Sequence, residues 1–131
     1  MAQGPENTFI ASVHRHLPVD LYRMKNHNQY NGGIADVWYS GTSRDLWVEY
    51  KFIVVPKRND TVIVPGLSPL QLEWLRGRAK DGRHVGVVIG CKEGGVYLHA
   101  SQWERLSVRE FRVQIKERRA VATLITSLVN C

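Results

Sequence analysis

The sequence predicts an α/β domain built on a central mixed sheet flanked by helices. Three observations carry that expectation. Phe9, Ile10, Val13 and Leu17 recur at helical spacing and mark one buried face near the start of the chain. Two runs rich in Trp, Tyr, Val and Ile, residues 34–40 and 46–55, flank a polar turn and read as paired strands. A capped helix over 68–81 then leads into an almost wholly apolar run, 84–90, the pattern of a buried strand.

The elements follow in order. The first helix is expected over 5–17: Gly4 can cap it and Pro5 suits its first turn. Glu6 lies three and four positions before Phe9 and Ile10, which turns it toward their face. A carboxylate in a first turn also favours the helix dipole, and that alone would explain it. Residues 25–33, rich in Asn and ending in Gly-Gly, read as a loop. Strand 34–40, turn 41–45 and strand 46–55 make a β-hairpin. Residues 56–66 are charged and bounded by prolines, with an apolar stretch at 61–64, and read as a long loop or a small β-excursion. Ser68 is a good N-cap, Pro69 fits the first helical position, and Gln71 completes a Ser-x-x-Gln capping box. Gly82 ends that helix. A strand is expected over 96–99 after Gly94-Gly95, and a helical turn over 101–106. Phe111 to Ile115 alternates with Arg112, Gln114 and Lys116, which reads as an edge strand. Residues 120–129 form an apolar terminal helix, a surface suited to a dimer contact.

Composition narrows the function classes. The 131 residues fit one compact domain, and 44% hydrophobic content can build its core without staples. No apolar run approaches the ~20 residues of a membrane helix, and the first residues, MAQGPENTF, lack the basic and apolar regions of a signal peptide. A cytoplasmic protein is expected. Cys91 and Cys131 make no disulfide framework and read as reduced thiols. His14, His16, His27, His84 and His99 show no zinc spacing. No phosphate-binding loop or dinucleotide fingerprint is present, so no nucleotide cofactor is expected. Eighteen Lys and Arg against twelve Asp and Glu give a net charge of +6 and a pI near 9.6, a balance that favours a polyanionic partner.

Chemistry gathers on the hairpin. Strand alternation puts Trp47, Glu49 and Lys51 on one face and Leu46, Val48 and Tyr50 on the other. Asp36, near the start of the partner strand, approaches Glu49 if the sheet bends there. Two carboxylates can hold a hard divalent cation such as Mg²⁺, to which the Tyr50 backbone carbonyl would add a ligand. The ion polarises a phosphate and activates water, and a neighbouring lysine stabilises developing negative charge. The bland alternative is a cross-strand salt bridge on a solvated sheet face. The apolar neighbours Ile34, Val37, Trp38, Leu46, Trp47, Val48 and Tyr50 argue against it, because unpaired charge inside such a hairpin is costly.

The runs Gly33-Ile34-Ala35-Asp36, Trp47-Val48-Glu49-Tyr50-Lys51 and Leu67-Ser68-Pro69-Leu70-Gln71, followed by Gly82 to Val88, resemble the PD-(D/E)XK nuclease superfamily. More narrowly they resemble its VRR-NUC type, which is similar to archaeal Holliday-junction resolvases. That group has an acidic residue on its first helix, a Gly-x-x-Asp strand, a Glu-x-Lys strand and a helix opening with Ser-x-x-Gln. Glu6, Asp36, Glu49, Lys51 and Gln71 fall on those positions in order. The resemblance covers residues 5–90 and implies a restriction-endonuclease-like core. It implies Mg²⁺ or Mn²⁺ held by Asp36, Glu49 and the Tyr50 carbonyl, with Glu6 as a further candidate ligand. It also implies cleavage of DNA, branched DNA included, by a homodimer. Gln71 would position Lys51 or the phosphate beside its capping role. A non-catalytic nucleic-acid-binding module on the same fold is the alternative, and a small interaction protein with a salt-bridged hairpin a further one.

Three departures from the family stand out. Ala35 replaces a frequent proline, residues 57–66 are long, and residues 91–131 lie outside the resemblance, where they are expected to complete the sheet. Lys25, His27, Arg44, Lys57, Arg58 and Arg76, with Arg78, Lys80 and Arg83, are candidates for a phosphate-binding rim. The four tryptophans read mainly as core, with one able to stack on a splayed base. A compact stand-alone domain suits a phage or mobile-element enzyme working in a host cytoplasm.

Overall fold

The computed structural model describes residues 4–26 and 32–131. The chain runs α1 (Pro5–His14), β1 (Tyr22–Lys25), β2 (Val37–Ser40), β3 (Asp45–Phe52), β4 (Val62–Ile63), α2 (Pro69–Lys80), β5 (Val85–Cys91) and β6 (Gly94–Tyr97). A single 3₁₀ turn (Ala100–Gln102), β7 (Leu106–Ser107), α3 (Val108–Gln114) and α4 (Arg118–Val129) follow. Five strands form one sheet in the order β1-β2-β3-β5-β6. The pairs are antiparallel except β3–β5, which is parallel and joined through the α2 crossover. The sheet is mixed and helices flank it, as expected. The apolar stretch at 61–64 makes a β-excursion, β4, which pairs with β7 in a separate two-stranded sheet.

Strand β3 separates two cores. On one face α1 and α4 bury Phe9, Ile10, Val13, Val121 and Ile125 against Val48 and Tyr50. On the other, Leu75 of α2 and Phe111 of α3 pack over Val87 and Ile89. Gly90 is where α1 presses closest to the sheet: a Cβ there would stand 2.5 Å from the Phe9 ring. Arg118, at the start of α4, ties α1 down. Its Nε donates to Ser12 Oγ at 2.7 Å, another nitrogen reaches the Cys91 carbonyl at 3.2 Å, and the guanidinium lies 5.2 Å from the Phe9 ring centroid.

Two expectations are corrected. Lys25 does not open a loop; it closes β1, an exposed edge strand in which Lys25 pairs with Val37. Residues 111–115 are not an edge strand. Ser107 caps α3 through a full capping box with Glu110, which commits this segment to helix. Phe111 is buried with Val108 one turn earlier, whereas Val113 is 80% exposed. Among the described residues no helix is long and apolar enough to cross a membrane.

Candidate active site

The β2–β3 register builds the site. Val37 faces Val48 and Trp38 faces Trp47, so one further step would set Asp36 opposite Glu49. Strand β2 stops short of that step. The Asp36 side chain takes over as acceptor for the free strand edge, Oδ2 receiving the Tyr50 N–H at 2.9 Å. The N–H and C=O of one strand residue leave on the same side, so the Tyr50 carbonyl also faces the Asp36 edge. Gly33 fits this segment against α2: a Cβ there would meet the Leu70 carbonyl oxygen at 2.8 Å. Close packing at Gly33 thus brings Asp36 and the first turn of α2 together.

Glu49 is the centre of the arrangement. It is 2% exposed, and its Oε2 accepts from Gln71 Nε2 at 2.9 Å and lies 3.6 Å from Lys51 Nζ. Gln71 caps the helix and reaches into the site at the same time. Its Oε1 accepts the Ser68 N–H to close the capping box while its amide nitrogen holds Glu49. Its side-chain partner in the site is Glu49, which itself lies 3.6 Å from Lys51.

The other oxygen, Glu49 Oε1, is buried and meets no donor among the described residues. The Asp36 carboxyl stands within hydrogen-bonding range of Glu49, but two ionised carboxylates are both acceptors only. Their contact therefore needs a proton or a cation between them. Burial, then the Asp36 charge, push the Glu49 carboxyl up to about 8; Lys51 opposes the shift, and Glu6 adds to it. The Lys51 contact at 3.6 Å suggests an ion pair, yet desolvation and Asp36 together outweigh it, so the site favours the protonated form of Glu49.

Glu6 needs a correction. It does not point into the core: it is exposed on the rim. Partial desolvation raises its carboxyl above the ordinary range, with Lys51 opposing and Asp36 reinforcing that rise, so it stands close enough to feel both. No group of three His, Cys, Asp or Glu side chains among the described residues is placed to hold one ion. Asp36 and Glu49 are the two carboxylates that converge here, with Glu6 at the rim.

The residues expected at a phosphate-binding rim differ in their surroundings. Lys25 donates to Asn7 Oδ1 at 2.9 Å. Lys57 is exposed, and Arg58 pairs with Asp60. Arg76 bonds Glu104 at 2.9 Å and lies over the Trp103 ring, a structural engagement. Arg44, Arg78 and Arg83 gather at one cavity. His27 lies outside the described residues. Reading the sequence missed a polar chain under the site: His14 Nε2 meets the Tyr39 hydroxyl at 2.7 Å, which meets the Tyr50 hydroxyl at 2.5 Å. Tyr39 and Tyr50 alternate with the site residues, which signals burial, but nothing in the spacing ties His14 to them.

No family model and no curated protein matches the chain. Among solved structures, the fold is similar to that of a Holliday junction resolvase from the archaeal hyperthermophile Archaeoglobus fulgidus. The TM-score is 0.55 at 12% identity, over 89% of this chain and 99% of that one. The five-stranded mixed sheet with its flanking helices is thus a resolvase-like, restriction-endonuclease-like fold.

Proposed function

We propose that this chain is a metal-dependent endonuclease of the PD-(D/E)XK type that hydrolyses phosphodiester bonds in DNA, branched DNA included. The observation that carries the reading is the buried, donorless Glu49 Oε1 beside the Asp36 carboxyl, with Lys51 at its edge. Two neighbouring carboxylates with one buried oxygen left without a donor, beside a lysine, fit a hard divalent cation. The likeness in fold to a Holliday junction resolvase supports the choice of substrate.

Asp36 and Glu49 would hold Mg²⁺ or Mn²⁺, with the Tyr50 carbonyl as a third oxygen. When bound, such an ion polarises the scissile phosphate and lowers the pKa of water. The protein's own groups do the rest. Gln71 fixes the Glu49 carboxylate, so the acid pair is set before substrate arrives. Lys51, with 19% of its side chain exposed, is close enough to solvent to meet a phosphate and stabilise the charge that builds on it. Glu6 on the rim can orient water at the mouth of the site.

The test is cleavage of four-way-junction and plasmid DNA with Mg²⁺ or Mn²⁺, comparing wild type with Asp36→Asn. The substitution keeps an acceptor for the Tyr50 N–H and removes the charge. Metal-dependent cutting by wild type and its loss in the variant is expected. Equal cutting by both would sink the site assignment, and no cutting of any DNA would leave a binding module on this fold.

A further inference from the structure

The face of the sheet that carries Glu49 and Lys51 also carries a row of aromatic rings. Tyr22 on β1, Trp38 on β2, Trp47 on β3 and Trp74 on α2 touch in succession, with centroids 5.3, 6.5 and 5.6 Å apart. Core packing accounts for them only in part. Tyr22 is 62% exposed, and each of the three tryptophans is only half-buried. Beside Trp47 opens a cavity of about 570 Å³, walled by Arg44, Asp45, Arg78, Arg83 and His84. Arg44 and Arg83 are exposed and have no ion pair among the described residues. Arg78 shares its charge with Asp81 at the surface, and Asp45 is held by the Ser40 hydroxyl. The cavity therefore carries a surplus of guanidinium groups next to an open indole.

We propose that this aromatic row and its arginine-lined cavity bind an unpaired, single-stranded stretch of the nucleic acid next to the cut site. Bases stack on Trp47 and its neighbours, and Arg44, Arg78 and Arg83 take the phosphates. Stacking on an open ring requires a base with a free face, which a paired and stacked duplex does not present. The guanidiniums supply the sequence-independent hold on the backbone. Position ties the track to the chemistry. Trp47 and Glu49 lie two residues apart on one face of β3, a separation of about 7 Å. At ~3.4 Å per nucleotide of a stacked strand, a base on Trp47 belongs to a nucleotide about two phosphates from the one at Glu49, fewer if the strand is stretched. The substrate class that fits is DNA with an unpaired segment beside the scissile bond, such as a flap, a gap or an opened junction.

The proposal deepens the nuclease reading, so its test must read binding apart from cutting. Fluorescence anisotropy with chelator present compares a labelled oligothymidylate with a duplex of equal length at one salt concentration. Intrinsic tryptophan fluorescence is followed on titration with unlabelled oligothymidylate. The expected result is tighter binding of the single strand and quenching of the tryptophan signal. Arg44→Ala with Arg83→Ala should weaken single-strand binding by about tenfold or more. Tyr22→Ala and Trp74→Leu should each weaken it about fivefold or more, and none of these variants should move duplex binding more than about threefold. Tyr22, Arg44 and Arg83 are exposed, so those variants report even if a tryptophan variant fails to fold. Equal losses for duplex and single strand, no quenching, or no single-strand binding would overturn the track. If the variants behave as expected but wild type cuts nothing when metal is supplied, the nuclease reading fails and the track stands. If wild type cuts and the variants bind single strands normally, the reverse holds.

Discussion

Beneath β3, Tyr50 and Tyr39 are fully buried and their hydroxyls share a hydrogen bond that continues to His14. Above it, Glu49 is just as deeply buried, yet one of its carboxylate oxygens meets no donor among the described residues and a second acid, Asp36, stands beside it. The two faces of one strand thus bury polar groups in opposite ways. A satisfied network stabilises and specifies a core. A buried carboxylate oxygen without a donor costs stability, and groups of this kind gather at functional sites. Burial alone does not separate the structural face from the functional one; the presence or absence of a donor does.

The widest separation between the faces should come from single substitutions on each. Glu49→Gln should cut DNA cleavage by about a thousandfold or more, roughly 4 kcal/mol of barrier. Its unfolding midpoint should hold or rise, because an amide can donate to Asp36. Tyr39→Phe should do the opposite, costing about 1–3 kcal/mol of stability by leaving buried partners unpaired while cleavage stays within about threefold. Thermal melts beside junction-cleavage rates check both, and a Glu49→Gln protein that melts earlier than wild type would break the contrast.

Titration gives a smaller effect of opposite sign on the two faces. Burial first, then Arg23 and Lys25, lower His14 from 6.5 to about 4. The native state therefore favours the neutral ring, and this contribution to stability is present above about 6.5 and lost as pH falls toward 4. Glu49 is raised from 4.5 to about 8, so the metal-free native state binds the extra proton and loses stability as pH rises across that interval. Between about 6.5 and 8 only the Glu49 contribution changes. Urea midpoints in chelator should fall across that window for wild type and stay flat for Glu49→Gln. Saturating Mn²⁺ should flatten the wild-type curve by taking the place of the proton.

The smallest effect is expected at Gln71. Gln71→Met removes part of the cap and the hydrogen bond to Glu49, for about 1 kcal/mol of stability and about a tenfold slower single-turnover rate at unchanged DNA affinity. A rate loss as deep as that of Glu49→Gln would mean that Gln71 touches the substrate itself.

Much of this was legible in the sequence where local chemistry agreed with tertiary structure. The Ser68-x-x-Gln71 cap, the phase of Glu49 and Lys51, and the apolar β5 each rest on short-range rules that the fold obeys. The misreadings arose where a short pattern admits two periods. Phe111, Val113 and Ile115 alternate like a strand, but Ser107 and Glu110 form a second capping box that decides for helix. Strand β1 was invisible because an exposed edge carries no apolar alternation. The helical phase of Glu6 placed it on the core side, yet in the first turn of α1 it is exposed to solvent. The aromatic row needed the cross-strand register, which turns Trp38 and Trp47 from separate core candidates into neighbours.

The clasp of Arg118 on Ser12 and Cys91 has a consequence for the order of events during synthesis. Helix α1 is made before α4, and the residue that pins it follows more than a hundred residues later. At ~5–20 residues per second, that is a wait of roughly 5–20 seconds. Until then Glu6 has no fixed address beside Lys51, and the apolar side of α1 lacks its α4 cover. The site would thus stay incomplete through topology until α4 docks. Hydrogen exchange on Arg118→Ala should show α1 opening ahead of the sheet, and uniform protection across both would argue that α1 docks without the clasp.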